Sequence, residues 1–136
     1  SSLTPPAQIQ ETSAALPAGF AMGYTGGTAF TGVTSAKQIA SVGINASKDG
    51  IILTGASVYV YASTLSANLL KLVTKVDGQE LGDTGGFFNT TSENKQTLPA
   101  MLPARVGAGR HTVTWDIGPN GHTVDVLIRN TWAIEV

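Results

Sequence analysis

The sequence predicts an all-β chain, an antiparallel β-sandwich of about eight short strands behind an extended N-terminal arm. Three observations carry that expectation. After residue 35, apolar and polar residues alternate with a period of two over most of the chain. Gly, Pro, Asn and Asp punctuate that pattern roughly every 8 to 12 residues. No long segment sustains the 3.6-residue period of an amphipathic helix. The 136 residues suit one domain, long enough to bury one core without staples.

Residues 1–35 read as the arm. They hold a single charged side chain, Glu11, among Pro5, Pro6, Pro17 and scattered Gly, Ala, Ser and Thr. Short apolar pieces, Leu16 and Phe20 to Tyr24, lie between breakers such as Gly19, Gly26 and Gly27. Few charges argue against a solvated tail, and many breakers argue against a packed element. The arm is therefore expected to lie along a partner, this domain or a neighbouring chain, with Leu16, Phe20, Met22 and Tyr24 as its anchors. Residues 36–136 read as the sandwich.

Within the sandwich, residues 51–62 are β-branched and aromatic, with Val58 and Val60 facing one way and Tyr59 and Tyr61 the other. Residues 68–76 form another strand, closed by Asp77-Gly78, a dipeptide suited to a type I′ hairpin. That register sets Val76 opposite Gln79 and Lys75 opposite Glu80, an opposite-charge pair. Residues 111–117 and 122–129 flank Gly118-Pro119-Asn120-Gly121 and are expected to pair as a hairpin. Ile117 would then meet His122, Trp115 would meet Val124, and Val113 would meet Val126, all on the buried side. Continued to the last residue, the alternation turns Trp132, Ile134 and Val136 inward and makes both tryptophans core. Long Gly-rich connections, such as 82–97, favour a jelly-roll-like winding over a simple meander.

Chemistry is sparse. Cysteine is absent, which removes disulfides, thiolate metal sites and cysteine nucleophiles. His111 and His122 fall on different strands, about 15 Å or more apart at about 3.4 Å per residue, and His122 reads as a turn-flanking polar residue. Asp77, Glu80 and Asp83 lack a full calcium-ligand set, and Glu80 is matched with Lys75. No Gly-x-Ser-x-Gly elbow, phosphate loop or dinucleotide fingerprint occurs. No catalytic residue, cofactor or metal is expected. The net charge of −1 and the missing basic run give no footing for nucleic acid. No apolar stretch approaches the roughly 18 residues that cross a membrane. Ser1 to Pro6 have no basic segment ahead of an apolar one, so no signal peptide is expected there. Asn89-Thr90-Thr91 fits the glycosylation acceptor pattern. Charged residues make up 12% of the chain, against about 25% for an average soluble domain. A surface of Thr, Ser, Asn and Gly suits a subunit packed against neighbours. Tyr59, Tyr61, Phe87 and Phe88 are the aromatic candidates for that contact.

The arm of residues 1–35, the apolar strand Ile51 to Ala62, the run His111-Thr-Val-Thr-Trp-Asp-Ile and the ending Thr131-Trp-Ala-Ile-Glu-Val carry a resemblance. The chain resembles the small jelly-roll proteins that cement or decorate the capsids of tailed bacteriophages. Its second half is also similar to the C1q/tumour-necrosis-factor-type knobs of phage fibres, which follow a stalk that has no counterpart here. The resemblance implies a non-enzymatic virion structural protein on the outer capsid surface, bridging and stabilising capsid subunits. Its partners would be the major capsid protein and sister copies, in a dimer or a trimer. The alternative it implies is a receptor- or carbohydrate-binding knob of a phage tail or fibre.

Overall fold

The computed structural model describes residues 19–25, 29–63, 66–89 and 94–136. Among them the period-two segments form nine strands and no helix: β1 (Phe20–Thr25), β2 (Phe30–Val33), β3 (Lys37–Ala46), β4 (Gly50–Ala62), β5 (Ser66–Val76), β6 (Gln79–Asn89), β7 (Asn94–Val106), β8 (Gly109–Gly118) and β9 (Val124–Glu135). The winding is nested about Asp77-Gly78. Both residues take positive φ, 52° and 82°, as a type I′ turn requires. Lys75 faces Glu80 and Val76 faces Gln79, the register expected from the dipeptide. Outward from this turn β4 pairs with β7, β3 with β8, and both β1 and β2 with β9, all antiparallel. Successive pairs fall into alternate sheets. The first sheet runs β1-β9-β4-β7, with β2 continuing the β1 edge of β9, and the second runs β3-β8-β5-β6. This is the jelly roll, an all-β sandwich of two antiparallel sheets.

Strand pairing begins upstream of the expected boundary at residue 36. β1 lies along Arg129 to Ile134 and β2 along Val124 and Val126. The second half of the expected arm thus forms an edge of this chain's own first sheet, and Ala21 is fully buried there. Residues 1–18 of that arm lie outside the described residues.

The core is the set of inward positions of both sheets. Val113, Trp115 and Ile117 of β8 and Val124 and Val126 of β9 are all 0% exposed, the parity expected of them. Their expected hairpin does not form. β8 pairs with β3 and β5, and β9 pairs with β4, β1 and β2. Residues 118–123 carry the chain from one sheet to the other, so the two apolar sets meet across the core instead of side by side. Alternation fixes which face of a strand is buried; it does not distinguish a neighbour in the sheet from a neighbour across the sandwich. His122, flanking the turn in this crossing as expected, is buried, and its Nε2 donates to the Asn68 carbonyl at 2.8 Å.

A second departure lies within β9. Tyr59 faces Ile128 but Val60 faces Val126, so Leu127 is an extra residue, a β-bulge. Beyond it the faces exchange. Arg129, Thr131 and Ala133 turn inward, while Ile128, Trp132 and Ile134 turn outward, the reverse of the parity that period two predicts by placing Ile128 with Val124 and Val126, Arg129 opposite them, and Trp132 and Ile134 inward. Val136 is likewise exposed. The inward polar groups are satisfied locally. Thr131 Oγ1 donates to the Gly55 carbonyl at 2.8 Å and Arg129 Nε to the Ile39 carbonyl at 2.7 Å. Ile39 is itself the extra residue of a bulge in β3, between Gln38–Asp116 and Ala40–Trp115. The Arg129 guanidinium carbon also sits 4.3 Å from the centre of the Phe30 ring.

One end of the sandwich is tied by side chains. Asp77 accepts the Thr112 amide at 2.9 Å and His111 Nδ1 at 2.6 Å, while His111 Nε2 lies 2.6 Å from the Gly107 carbonyl. Both partners of the ring are acceptors, so only the doubly protonated imidazolium can donate to each. The hydrogen bond to Asp77 and the one to Gly107 raise the His111 pKa, and His111 and the Thr112 amide lower that of Asp77. Asp49 accepts the Ala108 amide at 2.8 Å beside them.

This arrangement sets a pH dependence. The His111 contribution is complete below its unfolded pKa of about 6.5 and is lost as pH rises through its raised folded value; the Asp77 contribution is complete above about 3.9 and is lost as pH falls through its lowered one. The thermal midpoint of His111→Gln should therefore fall furthest below that of the parent between the two unfolded values, at about pH 5, and the gap should narrow as pH rises through the raised folded pKa of His111. A gap that is constant across this range would mean that no imidazolium forms. The tryptophans separate as well. Trp115→Ala should cost about 3–5 kcal/mol through cavity formation. Trp132→Ala, at a half-buried surface position, should cost only about 1–2 kcal/mol. Equal losses in denaturant titrations would contradict the exchange of faces at Leu127.

Candidate binding face

The outer surfaces of the two sheets differ in kind. On the second sheet, Lys71 pairs with Asp83 at 2.7 Å and Lys75 with Asp116 at 3.2 Å. The Lys75 ammonium thus goes to β8 and not to Glu80, which the backbone register sets opposite it. The Arg110 guanidinium lies on Gly43, where a Cβ would displace it. Apart from Leu69, Val73 and Leu81, the described outward positions of this sheet follow the ordinary polar alternation of a solvated face.

The first sheet breaks that rule. Its inward face is core, and its outward face is apolar too. β4 turns out Leu53, Gly55, Ser57 and Tyr59. β9 sets Ile134, Trp132, Asn130 and Ile128 beside them, and β7 sets Pro103, Met101, Pro99 and Thr97 on the other side. No charged residue stands in these central rows. Met101 is 59% exposed, Ile128 51%, Ile134 38% and Phe20, beside Ile134, 36%. Charge returns only at the ends: Lys95 and Asp125 flank Tyr61, and Arg105 faces Ile51. Contiguous apolar patches of this kind are candidates for interaction surfaces.

Local chemistry builds the patch. The Trp132 indole lies flat on Gly55, and any larger residue there would lift it. Pro99 and Pro103 stand four apart on β7, an edge strand, so both ring nitrogens point to the open side. They remove donors that another strand would need, so this edge resists strand addition while the face stays available. Near the middle, Ser57, Tyr59, Thr97, Ile128 and Asn130 line a shallow concavity of about 360 Å³.

The expected site residues divide. Tyr59 and Tyr61 stand on this face, both half-buried, with the Lys95 ammonium 5.5 Å from the centre of the Tyr61 ring. Phe20 joins them from β1. Leu16 and the side chains of Met22, Tyr24, Phe87 and Phe88 lie outside the described residues. By backbone register Met22 falls beside Trp132 and Tyr24 beside Asn130 on the same sheet, whereas β6 puts Phe87 and Phe88 in the other. The sequence reading missed Trp132, Ile134, Ile128 and Met101. One signal was present: Val126-Leu127-Ile128 are three apolar residues in succession, which interrupts strict alternation. The acidic residues once weighed as a cation site are engaged elsewhere, Asp77 with His111 and Asp83 with Lys71. No cluster of potential metal ligands occurs among the described residues.

No known protein-family model matches the sequence, and no curated protein matches it. Solved structures to which the chain is similar include dimeric latent PorU from Porphyromonas gingivalis, at 12% identity and a TM-score of 0.49 over 79% of this chain. This chain spans 10% of the length of that protein. A family 35 carbohydrate binding module from Clostridium thermocellum is similar at 12% identity and a TM-score of 0.37, over 82% of this chain and 90% of the module. A family 35 carbohydrate binding module from an environmental isolate is similar at 12% identity and a TM-score of 0.36, over 85% of this chain and 87% of the module.

Proposed function

We propose that this chain is a non-enzymatic binding protein that holds protein partners through the outer face of its first sheet. The observation that carries the reading is the contrast between the two outer faces: charge-paired and polar on the second sheet, apolar and uncharged through the central rows of the first. Exposed apolar area of that kind gains free energy only when a partner covers it, at about 25 cal/mol per Å². More specifically, the chain is a decoration subunit on the outer surface of a virion, with the major capsid protein and sister copies as partners. The low charge of the whole sequence supports this, as does its resemblance to jelly-roll cement proteins. On a shell, symmetry supplies many copies, so contacts that are individually weak add to firm attachment. Jelly rolls serve in viral capsids and in lectins alike, so the winding does not choose between them.

A second reading has its own observation. The concavity around Tyr59 sets an aromatic ring beside Ser57, Thr97 and Asn130, a combination that can stack on a sugar ring and bond its hydroxyls. In that reading the chain is a receptor- or carbohydrate-binding knob of a phage tail or fibre.

Cosedimentation with empty capsid shells, run beside a glycan array, separates the two. The decoration reading expects the chain to pellet with shells and Ile128→Glu, at an exposed position, to reduce pelleting about tenfold or more. Shell attachment that is absent, with glycan binding lost on Tyr59→Ala, would replace it by the second reading.

A further inference from the structure

We propose that the occupant of the first sheet's outer face is a second copy of this chain, stacked face to face about a twofold axis that runs along β4. This rests on the reading of that face as the binding face and names its partner. The placement of charge is the first support. At the level of Tyr61, Asp125 stands one strand to the β9 side and Lys95 one strand to the β7 side. A second copy turned over about the line of β4 brings its β7 above β9. Lys95 of each copy then meets Asp125 of the other, in two reciprocal pairs. The other in-plane twofold, across the strands, keeps β7 above β7 with its ends exchanged. It sets Lys95 over Arg105 twice, like charge on like charge. The charge pattern therefore selects one operator.

The apolar rows agree with that operator. Trp132 comes over Met101, an aromatic ring against a thioether, which is a favourable contact. Ile134 comes over Pro103 and Ile128 over Thr97, while Leu53 and Tyr59 lie near the axis and meet their own counterparts. Stacked sheets keep their strands within about 30° of each other, and the long Lys95 stem spans the offset this makes at the sheet end. Area is consistent with a weak, reversible pair. About this axis three strands, β9, β4 and β7, overlap; at about 4.8 Å each and ten residue steps of about 3.4 Å they give roughly 490 Å² in projection. Two such faces bury about 1,000 Å², at the lower end for specific protein interfaces.

Sedimentation velocity over a concentration series tests the proposal on the full chain, with circular dichroism as the check on folding. The parent should dimerise in the micromolar range. Met101→Glu should be monomeric, while Leu69→Glu, at an exposed position on the second sheet, should dimerise as the parent does. Lys95→Asp and Asp125→Lys should each weaken the dimer about tenfold or more, and the double reversal should restore it. A parent that stays monomeric at about millimolar concentration overturns the proposal, as does a Met101→Glu variant that dimerises normally. If the parent is monomeric yet Met101→Glu loses its shell attachment, the face binds the capsid protein: the inference fails and the functional reading stands. If the dimer behaves as expected but neither form pellets with shells, the decoration reading fails and the inference stands.

Discussion

Between Val126 and Arg129, β9 carries one residue more than the strand it pairs with, and the chemistry of its two sides is exchanged at that point. Ahead of the bulge, Val124 and Val126 fill the core in the ordinary way. Past it, Arg129 and Thr131 are inside while Ile128, Trp132 and Ile134 face out. An inward arginine is costly unless its donors are met. The cost is offset by a second bulge across the sandwich. Ile39 is extra in β3, a bulge residue drops out of the regular ladder, and its carbonyl receives Arg129 Nε. Phe30 of β2 lies against the same guanidinium, so the edge strand formed from the N-terminal segment is held by the residue that the bulge turned inward. One inserted residue thereby couples the core, the attachment of β2 and the apolar outer surface.

That outer surface follows from β9 being a central strand. β4 on one side and β1 and β2 on the other prevent it from twisting away, so its displaced apolar residues remain in a continuous plane with Leu53, Tyr59 and Met101. Prolines on β7 keep the open edge unattractive, and Trp132 covers the bare backbone at Gly55. The second sheet has no comparable exchange across its middle. Its outward lysines sit beside aspartates on the neighbouring strand, and it meets water as an antiparallel sheet normally does.

Local rules made part of this legible. Asp77-Gly78 can hardly be anything but a tight turn, and its register follows from the turn type. The buried parity of Val113, Trp115, Ile117, Val124 and Val126 follows from period two alone, and so does the outward set of Tyr59 and Tyr61. The all-β sandwich was readable as a class from period two and turn spacing, but the Gly-rich segment 82–97, expected as a long connection, is mostly strand: β6 runs to Asn89 and β7 starts at Asn94. What period two does not contain is the sheet to which a strand belongs. β8 and β9 therefore read as hairpin partners when they are opposite walls of the core. Nor does it register an inserted residue, so every position after Leu127 inherited the wrong face, Trp132 and Ile134 among them. Most of the candidate face was invisible for that single reason. The pairing of β1 and β2 was hidden differently: Gly and Pro around Phe20 and Phe30 read as breakers, although an edge strand needs only a few ladder bonds to one neighbour.

The symmetry of the proposed pair bears on how a small, weakly charged subunit can work as a clamp. A twofold axis along the strands leaves both copies pointing the same way. The end tied by Asp77, His111 and Asp49 then occurs twice on one side of the dimer, and the loops after β4 and β8 occur twice on the other. An axis across the strands would have opposed them. Like ends side by side form a two-footed contact, and the second foot binds at the high effective concentration set by the first. Neither foot then requires a strong site. The polar outer faces of the two second sheets remain toward water. In the proposed pair, burying the apolar face and leaving paired charge outside uses both unlike surfaces of the sandwich, and attachment would then be a property of the dimer and not of the single fold.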